Sequence, residues 1–137
     1  METSREKSNL LAVSVVVVDD NGNVLLRRRI KEPDQGSWEL FAGYPYLDEM
    51  PLTAAAQRIL EEKAGITEQA TIEFTGRYYD VPGRHPGKAC VPLIFKAMLT
   101  EPFQETEDVR WFTAAELAAV PIALDNKKTL SDLGLLS

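Results

Sequence analysis

Residues 38–66 read WELFAGYPYLDEMPLTAAAQRILEEKAGI and decide the fold of this chain. Trp38 and Leu40 are apolar at alternate positions, which predicts a half-buried strand. Pro51 suits the first turn of a helix, and good helix formers follow it. Gly65 predicts the end of that helix, because glycine adopts the left-handed conformation at little cost. The stretch therefore predicts a strand, a glycine loop and a helix.

Two carboxylates, Glu61 and Glu62, lie in the last turn of the predicted helix. A helix C-terminus carries partial negative charge and favours cations, so two acids at this end indicate a bound cation. Gly43 lies in the loop before the helix and lacks a Cβ, which lets a ligand approach the backbone. These two places are the first candidates for a functional site.

The hairpin before this stretch ends in three arginines. Residues 10–20 are β-branched and almost continuously apolar, which predicts a strand buried on both faces. Asn21-Gly22 predicts a two-residue turn into a partner strand at 23–30. Side chains alternate along a strand, so Arg27 and Arg29 are expected on one face and Arg28 on the other.

Strands also predominate after the central helix. They are predicted at residues 71–80, 90–99 and 109–112. The segment Thr113–Glu116 is a capping box that opens a helix, and a last short helix is predicted at 126–133. This order indicates an α+β fold, in which helices cover the faces of a mixed β-sheet.

Length and composition narrow the function classes. The 137 residues suit one domain at 9–137, with 1–8 as a disordered tail. The net charge of −6 argues against binding a nucleic acid duplex. A single cysteine excludes an internal disulfide and favours a reducing, cytoplasmic location. The sequence shows no signal peptide and no apolar run that would span a membrane, and we expect a monomer or homodimer.

The central stretch resembles the Nudix box, G-x5-E-x7-R-E-U-x-E-E-x-G-U, where U is a bulky apolar residue. The Trp-x-Leu lead-in and the later segment VRWFTAAEL are also similar to this family. The resemblance implies an α/β/α sandwich with a mixed β-sheet. It also implies hydrolysis of a nucleoside diphosphate linked to another group, with Mg²⁺ or Mn²⁺ bound by the glutamates of the box.

The box fits the motif in two registers that differ by one inserted residue. Gly43 and Glu49 have the spacing of the family. Counting onward from them places Gln57 on the motif arginine and Arg58 on the first glutamate of the Arg-Glu pair. Glu61-Glu62 then falls on the later glutamate pair. This register places the insertion beside the terminal glycine.

Counting back from Gly65 gives the second register. It places Arg58 on the motif arginine and keeps Glu62, with the insertion in the loop before the helix. Ile59 and Lys63 then stand where metal-binding glutamates are expected. Both registers lack the first of these glutamates, and Arg58 is expected to pair with Glu62 one turn on. The sequence leaves the two registers open.

Other residues are candidates through the resemblance. Arg29 or Arg84 would hold phosphate, since arginine binds it with two parallel hydrogen bonds. One of the adjacent Tyr78 and Tyr79 is expected to pack inward, and Tyr79 is our candidate to stack on a base. The segment GRYYDVPGRHPGK resembles a loop of relatives that act on ADP-ribose or similar sugar nucleotides.

Three functions remain open at this stage. The first is a divergent hydrolase with Glu61 and Glu62 as metal ligands and Glu105 or Glu107 as a further ligand or general base. The second is a catalytically inactive Nudix domain that binds a nucleotide-like ligand or a protein. The third is an isoprenoid diphosphate isomerase, whose cysteine and histidine would fall on Ala42 and Tyr44 of this chain.

Overall fold

The structure is a computed structural model and describes residues 6–8, 10–32, 34–67, 70–79, 81–82, 89–123 and 126–136. Its strands are β1 (Leu11–Val18), β2 (Val24–Arg28), β3 (Trp38–Glu39), β4 (Phe41–Gly43), β5 (Thr71–Tyr78), β6 (Val81–Pro82), β7 (Ala89–Met98) and β8 (Val109–Phe112). Its helices are α1 (Leu52–Ala64), α2 (Ala114–Ala119) and α3 (Asn126–Asp132). The predicted strands and helices are therefore confirmed, and β4 and β6 are additions. Gly43 is the last residue of β4, so the prediction that it lies in a loop was wrong.

The sheet is mixed, as predicted. Its main path runs β3-β2-β1-β7-β5, while β4 pairs with β1, β6 with β7 and β8 with β2. The central pair β1 and β7 is parallel, and the other described pairs are antiparallel. A parallel pair needs a crossover connection, and the segment that contains α1 lies within that connection.

Strand β1 divides the core into two layers. Val13, Val15 and Val17 pack in one apolar cluster with α1, while Val16 and Val18 pack in the other with α2 and α3. Because side chains alternate along a strand, a continuous run of valines serves both clusters. The result is the predicted α/β/α sandwich.

The turn between β1 and β2 is longer than the two residues that we predicted. The N–H of Asp19 donates to the carbonyl of Asn23, so three residues lie between the last paired positions. The Asp19 carboxylate accepts from the N–H groups of Asn21 and Asn23, both at 2.9 Å. Gly22 still provides the left-handed residue, with φ of 80°. The aspartate side chain therefore selects the wider turn.

Helix α1 ends as the sequence predicted. Gly65 has φ of 70°, and its N–H donates to the carbonyl of Glu61. The next N–H, of Ile66, reaches back to the carbonyl of Leu60. This pair of bonds satisfies carbonyls that the helix itself leaves without partners. Glu61, Glu62 and Lys63 are thereby fixed in the last turn.

Two segments differ from expectation in detail. In the predicted N-terminal tail, Lys7 forms a β-bridge with Tyr46, and the N–H of Ser8 donates to the carbonyl of Pro45. Val81–Pro82 pairs with the start of β7, although we predicted a loop there. None of the described helices is both long and apolar enough to cross a membrane.

Candidate functional site

Arg58 is the centre of an ion-pair cluster beneath the loop that precedes α1. Its Nε and Nη2 donate to the two carboxylate oxygens of Glu49 at 2.9 and 3.1 Å. Its Nη1 donates to Glu62 Oε1 at 2.9 Å, and the guanidinium carbon lies 4.6 Å from the ring centroid of Tyr46. We call these four residues the Arg58 cluster. The pairing of Arg58 with Glu62 was predicted, and it is confirmed.

Burial makes the Arg58 cluster stronger than an ordinary surface ion pair. Only 18% of the Arg58 side chain and 9% of the Glu49 side chain are exposed. The hydrogen bond to Glu49 is the main cause that raises the pKa of Arg58, and burial opposes it. Nη2 also donates to the carbonyl of Tyr44, and the N–H of Tyr46 donates to Glu49. The cluster therefore joins the loop to the helix.

The neighbours of Arg58 on α1 contact β4 in other ways. Ile59 is almost fully buried, and a Cβ added to Gly43 would lie 3.3 Å from its Cγ1 and Cδ1. On the exposed last turn, the ammonium of Lys63 donates to the carbonyl oxygen of Ala42. The side chain of Ile59 and the ammonium of Lys63 thus both contact β4. The sequence had predicted that a ligand would approach the backbone there, at Gly43.

Glu61 lies on a different side of α1 from the Arg58 cluster. It is exposed and lines an open cleft of about 840 Å³ between α1 and β5. Gln57 lines the same cleft, and its side-chain oxygen accepts from the N–H of Ala70 at 3.2 Å. Glu62 does not line this cleft. The two glutamates predicted as joint metal ligands are therefore placed in different surroundings.

The predicted phosphate and base contacts are also placed. Arg29 is 6% exposed, and its Nη1 donates to Glu39 at 2.9 Å, which occupies this guanidinium within the protein. Tyr79 is the tyrosine that packs inward, since its hydroxyl donates to Asp132 at 2.7 Å, while Tyr78 is 64% exposed. Base stacking by Tyr79 stays a prediction, and the more exposed ring of Tyr78 is a second candidate for it. Arg84 lies outside the described residues.

Tyr79 and Asp132 also shift each other's titration. Burial first, and then the hydrogen bond to Asp132, raises the pKa of the Tyr79 hydroxyl. The same hydrogen bond lowers the pKa of Asp132. The pair joins the end of β5 to α3 and serves the packing of the sheet.

Glu105 and Glu107, the predicted acids of the loop between β7 and β8, are both exposed. Glu105 lines a second cleft of about 590 Å³ together with Arg28, Trp38 and Arg110. That cleft shares no lining residue with the one beside Glu61. Across the described part of the chain, no three of the His, Cys, Asp and Glu side chains form a group that could hold a metal ion.

Comparison with known proteins identifies the family. Residues 8–133 match the profile of the NUDIX domain. The chain belongs to the Nudix family. A MutT-like protein of Streptomyces ambofaciens is 32% identical over 112 residues, which cover 79% of this chain and 66% of that protein. This chain therefore corresponds to just under two thirds of that relative.

Solved structures share the Nudix fold. The NUDIX domain of Shewanella oneidensis NrtR, complexed with ADP ribose, superposes with a TM-score of 0.73 at 23% identity, covering 93% of this chain and 88% of that one. A bifunctional NMN adenylyltransferase/ADP ribose pyrophosphatase of Francisella tularensis gives 0.63 at 18% identity, covering 95% and 42%. At these identities the likeness establishes the fold alone.

The geometry favours the second register of the Nudix box. In the first register Leu60 stands at the open position of the motif, but its side chain is fully buried. In the second register Leu60 stands at the apolar position, and the exposed Glu61 stands at the open one. Arg58 then occupies the motif arginine and binds Glu49, the first glutamate of the box. The inserted residue lies in the loop before α1.

A divalent cation fits this Nudix box poorly. In the second register the three metal-binding positions are Ile59, Glu62 and Lys63, so one is apolar and one is cationic. Glu62 is hydrogen-bonded to Arg58. A unit charge about 4 Å from a divalent ion is repelled by roughly 8 kcal/mol at an effective dielectric near 20, as an upper figure. Hard cations need several oxygen ligands, which these positions do not offer.

Sequence reasoning missed two features of the site. It treated Lys63 only as a lost carboxylate, whereas the ammonium is hydrogen-bonded 21 positions upstream to Ala42. It also missed Glu39, which binds Arg27 at 3.6 Å and Arg29 at 2.9 Å. The alternation Trp38-Glu39-Leu40 could have indicated this contact. A charged residue between two buried residues of a short strand faces the charged residues of the neighbouring strand.

Proposed function

We propose that this Nudix domain binds a nucleoside diphosphate derivative, with ADP-ribose as the favoured class, and does not hydrolyse it. The fold and the ligand class come from the family and its neighbours, two of which are named for ADP ribose. The segment GRYYDVPGRHPGK supports the same class by its resemblance to relatives that act on ADP-ribose.

We infer the absence of hydrolysis from the contacts of two residues of the Nudix box. Ile59 is packed against Gly43, and Glu62 is held by Arg58. A hydrolytic water in this family depends on a cation that carboxylates hold, and these side chains do not form such a set. What the box retains is a rigid connection between loop and helix, which suits binding.

Hydrolysis of the same class of ligand is the second candidate. Family membership and the MutT-like relative favour it. It would use Glu61 or Glu62 together with Glu105 or Glu107. Glu61 and Glu105 line separate clefts, so these two carboxylates do not share one cleft.

One experiment distinguishes the two candidates. ADP-ribose and a panel of nucleoside diphosphate sugars are titrated into the protein by calorimetry, first in EDTA and then with Mg²⁺ or Mn²⁺. Release of the nucleoside monophosphate, which is AMP for ADP-ribose, is followed by chromatography. Saturable binding without release of a nucleoside monophosphate supports the proposal. Release that Glu62→Gln abolishes overturns it in favour of hydrolysis. Absence of binding to the whole panel overturns the ligand class.

A further inference from the structure

Strand β5 forms an open edge of the sheet. It stands at one end of the main strand path and, among the described strands, pairs only with β7. Most of its eight residues are exposed, whereas β3, at the other end of the path, has only two residues. An edge strand presents backbone N–H and C=O groups that a further strand can pair. The β5 edge is therefore long enough to take up a strand from another chain.

The side chains of β5 divide by face into an apolar set and a charged set. Ile72, Phe74 and Tyr78 pair with residues of β7 that lie in or against the apolar cluster of α1, so they share the α1 face. Phe74 is 49% and Tyr78 is 64% exposed, although both rings are large. Glu73 and Arg77 precede two of these residues, lie on the opposite face and are both exposed. The strand thus carries uncovered aromatic rings on one face and opposite charges on the other.

The cleft of about 840 Å³ beside α1 borders this edge. Ile72 lines it from β5, and the helix lines it with small or polar residues such as Thr53 and Ala54. A strand added beside β5 points every second side chain to the α1 face, next to this cleft. The cleft therefore favours a strand with large apolar side chains at alternate positions, and β5 itself has this pattern.

We propose that two copies of this chain pair through β5 in an antiparallel dimer whose two-fold axis passes through Thr75. In this register Glu73 lies opposite Arg77 of the partner subunit, and the symmetry repeats this contact at the other end. Ile72 lies opposite the partner's Tyr78, whose ring enters the cleft beside Ile72. Opposite charges and aromatic–β-branched pairs both stabilise paired strands. A second copy therefore matches β5 in charge and in apolar pattern.

A bulge lies at the centre of this pairing. The register of β5 against β7 shifts between Phe74 and Tyr78. A bulge increases the twist of an edge strand and restricts which strands can pair with it. A second copy brings the same twist, and Phe74 then covers Gly76 of the partner subunit, which has no side chain of its own. The surface charges set the register and contribute little to affinity, which comes from the backbone bonds and the rings.

Analytical ultracentrifugation from low micromolar to submillimolar protein tests the dimer. We expect a dimer whose fraction rises with concentration. Tyr78→Lys should weaken it about tenfold or more, because two rings leave the interface. Ile30→Lys is the matched control, since Ile30 is 63% exposed and follows β2, and it should leave the dimer unchanged. A monomer at every concentration, or a dimer that Tyr78→Lys leaves intact, overturns the inference.

Exchange of the two charges tests the register. Glu73→Arg and Arg77→Glu each bring like charges together at both ends of the paired strands, and each should weaken the dimer about tenfold. The double variant Glu73→Arg/Arg77→Glu restores opposite charges and should recover most of the affinity. Circular dichroism checks that the fold of each variant is unchanged, as expected for exposed positions. A double variant that dimerises no better than the single variants overturns the register.

Hydrogen exchange tests whether the edge itself is paired. The amide hydrogens of residues 71–78 should exchange more slowly at concentrations where the dimer predominates than at concentrations where the monomer does. Equal exchange rates in a protein that dimerises place the contact on another surface and overturn the inference. The proposed function is unaffected by either result, because no ligand takes part in this pairing.

Discussion

Removal of the Arg58 guanidinium is expected to destabilise the fold substantially. Arg58→Met keeps much of the side-chain volume. Of the donors within the Arg58 cluster, the N–H of Tyr46 at 3.1 Å then remains to Glu49. Breaking a buried ion pair costs about 3–5 kcal/mol, whereas an exposed pair contributes at most about 1 kcal/mol. With 18% and 9% of the two side chains exposed, we place this variant at about 2–3 kcal/mol.

This loss is large enough to measure by thermal unfolding. The entropy of unfolding is roughly 2.1 cal/mol/K per residue, so a chain of 137 residues loses about 7–10 °C in Tm. Urea unfolding provides the free energy independently. Arg77→Met removes an exposed arginine of β5 and is the control, with an expected change below about 0.5 kcal/mol.

A double-mutant cycle separates the ion pair from the packing of the arginine. Arg58→Met/Glu49→Leu removes both charges, and its loss should be smaller than the sum of the two single losses by more than about 1 kcal/mol. An unfolding free energy for Arg58→Met within about 0.5 kcal/mol of the unaltered protein would refute the reasoning, because the cluster would then behave as a solvated surface pair. Additivity in the cycle would refute it in the same way.

Three further predictions concern β4, the β5–α3 contact and α2. Gly43→Ala should lower the free energy of unfolding in urea by about 1–3 kcal/mol, because the added Cβ would lie 3.3 Å from Ile59. Ile59→Val should relieve part of that loss. Additive losses in the double variant would contradict the contact. The pKa of Tyr79 is raised, so its contribution to stability is present below its unfolded pKa near 10 and is lost as the pH rises through its folded pKa. In Asp132→Asn, ultraviolet titration should show a lower pKa for Tyr79. An unchanged titration curve would exclude the coupling of the two side chains. Thr113→Ala removes the cap of α2 and should cost about 0.5–2 kcal/mol, whereas Thr113→Ser should retain most of the stability.

The candidate site was predictable only in part. The spacing of Arg58 and Glu62 predicts their contact, since residues four apart on a helix are neighbours. The register of the box was not predictable, because it depends on which of Leu60 and Glu61 is buried against the sheet. The stacking role of Tyr79 stays a prediction. Adjacent strand residues face opposite sides, and only the packing of α3 shows that the hydroxyl of Tyr79 is bonded to Asp132.

The sequence by itself determined the elements and the family. Continuous valines specify β1, Gly65 ends α1 and Thr113–Glu116 caps α2, because each signal acts over a few neighbouring residues. Tertiary structure alone decided the contacts of the two helix cations with residues outside α1. The contact of Arg58 with Glu49 spans nine positions and that of Lys63 with Ala42 spans 21, so both depend on how the loop folds back over the helix.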